Sequence, residues 1–156
     1  MKYIILAVVI ALAVFYIARS TMNKSDAVDN IAIGKEFLEK NKTNKDVIET
    51  SSGLQYQVLQ KGTENEHPSA STTVKVHYHG MLLDGTVFDS SVERDEPISF
   101  PLNRVIKGWT EGVQLMVVGD KFKFFIPSEL GYGNRATGKI TSGSLLIFEV
   151  ELLAIQ

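Results

Sequence analysis

The chain has 156 residues, of which 44% are hydrophobic and 22% are charged, and its formal net charge is −2. This composition is typical of one globular domain with a further segment attached, and it excludes an intrinsically disordered chain. The small net charge argues against a nucleic-acid-binding protein. The absence of cysteine excludes disulfides, thiolate catalysis and cysteine-ligated zinc.

Residues 1–20, MKYIILAVVIALAVFYIARS, form the first predicted element, an N-terminal hydrophobic helix. Its apolar run extends from Tyr3 to Ala18. A run of this length is long for the core of a signal peptide and slightly short of the about 20 residues that span a bilayer. We favour a membrane anchor that stays attached. The alternative is a signal peptide cleaved after Ser20, and both interpretations predict that the rest of the chain is exported.

Residues 21–53 are predicted to be a polar linker that contains a short helix. Ser25 or Asp26 is suited to the N-cap of this helix, and Glu36 with Lys40 forms a favourable i,i+4 pair near its end. The letters NKTNKDVIETSSG that follow predict a linker.

Residues 54–156 are predicted to fold as one domain built on strands. Apolar and polar residues alternate in LQYQVLQ, TVKVHYHGML, DKFKFFIP and LLIFEVELLAI, which is typical of an antiparallel sheet. An Asp-Gly pair at residues 84–85, between two apolar runs, predicts a hairpin turn.

One short helix is predicted in this domain, around residues 108–116. Trp109, Val113 and Met116 are spaced four and three apart, so they share a face of the helix. The predicted fold class is α+β, an antiparallel half-open sheet wrapped around one short helix. In this arrangement Trp109 faces the concave side of the sheet.

The domain contains no motif for nucleophilic or phosphate chemistry, because it lacks G-x-S-x-G, a glycine-rich phosphate loop and H-E-x-x-H. His77 and His79 lie two apart on a predicted strand and share a face. A metal site would need further ligands, and His67 is the third and last histidine. We therefore expect no metal and no cofactor, and metal binding by the two histidines is the weakest hypothesis.

Aromatic residues with a few polar neighbours form the stronger set of candidates. GTVFDSS places Phe88 and Asp89 in the strand after the hairpin turn, and Arg94 follows Asp89 by five residues, within reach of a charge pair. LGYGN sets Tyr132 between two glycines, on a loop that we expect to be mobile. Each of these residues alone could equally have a purely structural role. The order and spacing of the sequence blocks that contain them therefore decide between a structural and a functional interpretation.

Four blocks, VHYHGMLLDGTVFDSS, VIKGWTEGVQLM, LGYGN and LIFEVELL, closely resemble the FKBP-type peptidyl-prolyl cis-trans isomerases in order and spacing. The resemblance covers residues 51–155. The segments KEFLEKNKTNKDVIETSSGLQYQVLQKG and FPLNRVIKGW are similar to the bacterial branch that includes the macrophage infectivity potentiator group. This branch implies a bacterial inner-membrane protein whose domain faces the periplasm. A cleaved signal would instead leave a soluble periplasmic or secreted protein.

The resemblance implies a hydrophobic pocket for a proline ring, with Trp109 as its floor. The residues it implies for catalysis are Tyr78, Phe88, Asp89, Trp109, Tyr132 and Phe148. The residues it implies for substrate binding are Arg94, Ile98, Val105, Ile106 and Ile140. Within these sets, the Ile106 amide and the Tyr132 hydroxyl are implied donors to the bound peptide, and Ile140 is placed on the overhanging loop.

Two departures from the family pattern affect this pocket. Ile98 stands where many members have an aromatic residue, which we expect to change the preference for the residue before proline. Thr141 and Ser142 stand where many members carry two prolines, which predicts a more flexible loop over the site.

The function implied by the resemblance is peptidyl-prolyl cis-trans isomerisation, with proline-containing polypeptides as substrates and macrocyclic FKBP inhibitors as further ligands. Rotation of an X-Pro bond meets a barrier of about 18–20 kcal/mol but requires no new covalent bond, so no nucleophile is needed. The alternative is a module that binds proline segments or a client protein without turnover.

Overall fold

The structure is a computed structural model that describes the backbone of residues 2–156 and the side chains of residues 9–22, 24 and 26–156. Its elements are two α-helices and seven strands in the described chain, with short 3₁₀ turns at Leu102–Arg104 and Ser128–Leu130. The strands form one antiparallel sheet, which confirms the predicted α+β class.

Helix α1 is a single helix of 40 residues, Lys2–Asn41. The prediction of a new helix capped at Ser25 or Asp26 is therefore wrong, and the Ser25 side chain lies outside the described residues. The segment between the apolar run and Ala27 contains neither glycine nor proline, and extending a helix costs less than nucleating another one. The Thr21 hydroxyl donates to the carbonyl oxygens of Ile17 and Ala18, at 3.1 and 2.9 Å, inside the helix.

The predicted anchor occupies the first half of α1. Within the described residues, no helix offers an apolar stretch of the length that a membrane crossing requires. Met1 and the side chains of residues 2–8, where the predicted segment begins, lie outside the described residues. The anchor and the domain boundaries at residues 20 and 53 stay predictions.

The strands are β1 Val47–Glu49, β2 Gln55–Gln60, β3 Thr73–Leu82, β4 Val87–Ser90, β5 Ile98–Pro101, β6 Lys121–Ile126 and β7 Leu146–Ile155. Their order is β1-β2-β6-β7-β3-β4, and β5 pairs with the beginning of β3. The four predicted strands correspond to β2, β3, β6 and β7. Strand β1 lies in the segment that was predicted as a linker. It was not predicted as a strand, because three residues at a sheet edge are too few to show an alternation of apolar and polar side chains.

Helix α2, Lys107–Val113, lies across the concave face of the sheet. It ends earlier than predicted, because the amides of Leu115 and Met116 donate to carbonyls three residues back and tighten the last turn. Trp109, Val113 and Met116 are all buried in the main core, so the predicted shared face is confirmed.

The opposite face of the sheet is partly covered by the C-terminal turns of α1. Phe125, Leu145 and Ile147 form a smaller buried cluster there, against Phe37 and Leu38 of α1. The Phe37 and Phe125 ring centroids are 5.7 Å apart. The alternation of apolar and polar residues predicts one buried face and one solvated face, and this part of the second face is instead covered by α1.

Candidate functional site

A cavity of about 870 Å³ opens between the concave face of the sheet, helix α2 and the loop of residues 131–140. All residues that the sequence predicted for the site line this cavity except Arg94. They are Tyr78, Phe88, Asp89, Ile98, Val105, Ile106, Trp109, Tyr132, Ile140 and Phe148. Residues from six separate stretches of the chain thus converge on one concave surface, the usual form of a small-ligand site.

The floor of the cavity is the indole of Trp109, which is 5% exposed. Tyr78, Phe148 and Phe100 surround it, with ring centroids at 5.3, 5.2 and 5.3 Å. Tyr78 and Phe148 stand nearly perpendicular to the indole, the favoured edge-to-face geometry of aromatic pairs. The indole Nε1 is buried without a hydrogen-bond partner in the described chain. The floor is therefore apolar, with one uncommitted donor.

The position of the floor depends on how closely α2 approaches the sheet. A Cβ at Gly108 would lie 2.6 Å from Cγ2 of Ile126 in β6, closer than carbon atoms pack. Glycine at this position therefore lets α2 seat the adjacent Trp109 deep against the sheet.

Phe88 and Phe148 form an aromatic wall across β4, β3 and β7. Their ring centroids are 5.2 Å apart at 85°. Gly80 of β3 lies opposite Phe148 in the sheet register, and a Cβ on it would come within 2.7 Å of both rings. The missing side chain at Gly80 creates the space that this wall occupies.

A polar group of three residues stands at the edge of the wall. The Tyr78 hydroxyl and the Arg94 guanidinium both donate to the carboxylate of Asp89, and Arg94 Nη2 lies 3.2 Å from the Tyr78 oxygen. Arg94 therefore supports the site through Asp89 and Tyr78, although it does not line the cavity. The predicted charge pair between Asp89 and Arg94 is present.

The hydrogen bonds in this group shift the pKa values of its members. Burial opposes ionisation of Asp89, but the hydrogen bonds from Tyr78 and Arg94, together with the Arg94 charge, outweigh burial and lower the pKa of Asp89. Burial, followed by the hydrogen bond to Asp89, raises the pKa of Tyr78. Near neutral pH the group is therefore a carboxylate held by a neutral phenol and a guanidinium.

Two donors that belong to lining residues have no internal partner. Neither the backbone amide of Ile106 nor the hydroxyl of Tyr132 makes a hydrogen bond to another described residue. Tyr132 is half-buried, and its loop is tied by the amides of Gly131 and Gly133, which donate to the Ser128 carbonyl at 3.0 and 2.8 Å. The loop is thus hydrogen-bonded on both sides of Tyr132, where the flanking glycines suggested a mobile segment.

The loop over the site is fastened where the sequence predicts flexibility. The Ser142 hydroxyl donates to the Asn134 carbonyl, and the Thr141 and Ser144 hydroxyls lie 2.7 Å apart. From helix α1, the Asn30 amide donates to the Ser142 carbonyl at 2.8 Å. These hydrogen bonds hold the segment after Ile140, whose side chain is 5% exposed and lines the cavity.

Several lining residues were missed from the sequence. Phe100 follows Ile98 by two residues on β5, so the strand period places both on one face, and this signal was available. The other missed lining residues are Arg104, Lys107, Glu129, Gly131, Gly133, Arg135, Thr137, Gly138 and Lys139. These are exposed charges or loop positions, which carry no periodic pattern.

The two strand histidines are held by serines. The Nδ1 atoms of His77 and His79 each lie 2.9 Å from a hydroxyl, that of Ser91 and Ser90 respectively. Among the described residues, no three histidine, cysteine, aspartate or glutamate side chains cluster in a way that could hold a metal ion. The metal hypothesis gains no support from this geometry.

Comparisons with known proteins give the family of this fold and site. A family model described as FKBP-type peptidyl-prolyl cis-trans isomerase matches residues 64–153, and one described as the domain amino terminal to it matches residues 9–58. The chain is 58% identical over 131 residues to the FKBP-type peptidyl-prolyl cis-trans isomerase FkpA of Aeromonas hydrophila, covering 84% of this chain and 48% of that protein. It is 40% identical over 139 residues to the outer membrane protein MIP of Legionella longbeachae, covering 88% of this chain and 59% of that protein.

Among solved structures, the chain is similar to the crystal structure of FkpA from Escherichia coli. The TM-score is 0.86 at 44% sequence identity, over 94% of this chain and 70% of that one. The chain thus spans about half the length of the curated relatives it matches. The resemblance to the bacterial branch of the family is confirmed.

Proposed function

Since the chain belongs to the family of FKBP-type peptidyl-prolyl cis-trans isomerases, we propose that it accelerates the cis–trans rotation of X-Pro bonds in polypeptide substrates. The observation that carries this proposal is the apolar floor and wall around Trp109, next to two donors without partners. The geometry offers an apolar surface for a prolyl ring and hydrogen-bond donors for the peptide beside it.

The rate enhancement is proposed to come from differential binding. Rotation breaks amide conjugation, so the twisted transition state has a less polar carbonyl than the planar ground state. An apolar cavity binds the twisted form better than water does. Each tenfold of acceleration requires about 1.4 kcal/mol of this preference. Trp109, Phe88 and Phe148 supply the apolar surface in this proposal.

The two free donors are proposed to hold the peptide while one bond turns. If the Ile106 amide and the Tyr132 hydroxyl fix carbonyls on the peptide, and the cavity clamps the prolyl ring, rotation is confined to the bond between them. Arg94, Asp89 and Tyr78 keep the polar edge of the wall rigid. Ile98, Val105 and Ile140 would contact the residues that flank the proline.

The test is exchange spectroscopy by NMR on a short X-Pro peptide, with the full chain and two matched variants. Tyr132→Phe should lower kcat/KM by roughly three- to tenfold, because one hydrogen bond to the substrate is lost. The control is Tyr56→Phe, since Tyr56 stacks on Phe122 at 5.3 Å, away from the cavity. Equal exchange rates for Tyr132→Phe, Tyr56→Phe and the parent would remove Tyr132 from the proposed site.

A second variant addresses the floor. Trp109→Leu should reduce exchange more strongly than Tyr132→Phe does, with circular dichroism used to verify folding. If the parent itself binds the peptide without accelerating exchange, the chain is a binding module, and the catalytic proposal is wrong.

We also propose that the first half of α1 anchors the chain in a bacterial inner membrane, with the domain facing the periplasm. Large apolar side chains from Val9 to Ile17 are each more than half exposed. Apolar surface of this extent is normally covered by a membrane or a partner. The mass of the purified native protein tests the proposal, because cleavage after Ser20 would leave a shorter chain and a soluble product.

A further inference from the structure

We propose that the site selects X-Pro segments that carry acidic residues beside the proline. This inference rests on the proposed isomerase function and names its substrate class. It comes from the charges at the cavity mouth, which the apolar mechanism does not use.

Four cationic side chains line the cavity: Arg104, Lys107, Arg135 and Lys139. All four are exposed. None of them forms a salt bridge with a carboxylate in the described part of the chain, where the ion pairs involve other lysines and Arg94. Their charges are therefore available to a ligand.

The carboxylates at the same surface do not balance these cations. Asp89 is already paired with Arg94, which leaves Glu129 as the unpaired carboxylate of the lining. Glu93, Asp95 and Glu96 flank Arg94 in the segment after β4, but they do not line the cavity. The mouth is thus cationic in a protein whose formal net charge is −2.

The cations are placed where the flanking residues of a substrate would pass. Lys107 directly follows Ile106, whose amide is one proposed donor, and Arg104 lies two residues before it. Arg135 lies three residues after Tyr132, the other proposed donor, and Lys139 precedes Ile140. Since both groups of cations line the same cavity as the donors, we expect a peptide held at both donors to pass close to them.

The expected preference is modest, because exposed charge pairs are weak and screened by salt. One or two such contacts correspond to roughly a three- to tenfold higher kcat/KM for an acidic peptide. Raising the salt concentration from about 0.05 M to 1 M should remove most of this advantage, since the screening length falls to about 3 Å.

The experiment compares three peptides that differ only at a residue next to the X-Pro pair, which is Glu, Gln or Lys. NMR exchange is used because it needs no coupled protease with a charge preference of its own. The inference predicts the order Glu, Gln, Lys in kcat/KM at low salt, and convergence at high salt. An equal rate for the three peptides, or a preference for Lys, would overturn it.

Charge-reversed variants test whether the preference for the Glu peptide comes from the cations at the cavity mouth. Arg135→Glu with Lys139→Glu should reduce or invert the Glu-to-Gln ratio measured within that variant. Lys45→Glu with Lys61→Glu makes the same change of net charge at exposed lysines outside the cavity lining, and should keep the parent ratio. If both double variants change the ratio equally, the preference comes from net charge and the inference is wrong.

The two proposals fail in different ways. No acceleration of the Gln peptide would refute the isomerase function itself. Acceleration of the Gln peptide with no advantage for Glu would leave that function standing and refute the acidic preference alone.

Discussion

Gly80→Ala tests whether the aromatic wall must occupy the space beside β3. The new Cβ would lie 2.7 Å from Cε1 of Phe148 and 2.7 Å from Cζ of Phe88. Carbon atoms rest at about 3.5–4.0 Å, so each ring has to retreat by roughly 1 Å. Both rings line the cavity, and the substitution therefore reshapes the site without removing any functional group.

The structure allows the changes in the free energy of unfolding and in kcat/KM to be worked out for Gly80→Ala. Overpacking a core costs about 1–3 kcal/mol, and replacing glycine restores about 0.4–1 kcal/mol through the unfolded chain. The free energy of unfolding should thus fall by at most about 2.6 kcal/mol, and by roughly 1.3 kcal/mol at the middle of both ranges. A displacement of about 1 Å at a reacting group can lower the reaction rate by up to about a hundredfold. We therefore expect kcat/KM to fall by about ten- to a hundredfold.

Urea denaturation and NMR exchange on an X-Pro peptide measure the two quantities on the same sample. The control is Ile147→Val, which should cost about 0.5–1.5 kcal/mol in the smaller cluster on the other face of the sheet. It should leave kcat/KM unchanged. If Gly80→Ala folds and keeps the parent kcat/KM, the position of the wall does not control the reaction, and the proposed site geometry is wrong.

Three further outcomes are expected. Asn30→Ala removes the donor to the Ser142 carbonyl and should lower the free energy of unfolding by about 1 kcal/mol in urea titrations; no change would mean that α1 does not hold the loop. The pKa of Asp89 is lowered in the folded state, so its contribution to stability is present above the ordinary carboxyl range near pH 3.9 and is lost as the pH falls through the lowered value. Tyr78→Phe removes one hydrogen bond to this carboxylate and should move the acid limb of stability to higher pH, as measured by thermal melts between pH 2 and 6. Trp109 is the single tryptophan, so its fluorescence should change on titration with a proline peptide or a macrocyclic FKBP inhibitor, and a constant signal at saturating ligand would place the ligand elsewhere.

The sheet and the floor of the site could be predicted because their signals are local. Alternation identified the long strands, and helical spacing placed Trp109, Val113 and Met116 on one buried face. Phe100 could also have been found, since it shares a strand face with Ile98. The family motifs supplied the remaining walls, which spacing alone does not distinguish from ordinary core residues.

Two other features, the continuity of α1 and the cations at the cavity mouth, depend on interactions that a short stretch of sequence does not reveal. The continuity of α1 follows from the lack of a helix-breaking residue over a long span, whereas a good capping residue suggested a new start. The cations at the mouth are exposed side chains from a 3₁₀ turn, the first residue of α2 and the loop of residues 131–140, and their convergence on one surface is set by the fold. A pattern of neighbours in sequence cannot report that convergence.

The flexibility predicted for the loop over the site has to be weighed against the hydrogen bonds that its side chains make. Replacing two prolines by Thr141 and Ser142 raises the conformational freedom of the unfolded chain, which is the reason to expect flexibility. The same replacement introduces hydroxyl groups, and those of Thr141, Ser142 and Ser144 are all hydrogen-bonded. Asn30 adds a contact to Ser142 from 112 residues away. Hydrogen bonds within the loop and from helix α1 thus act on the segment that two prolines would restrict locally, so the N-terminal segment takes part in positioning the loop.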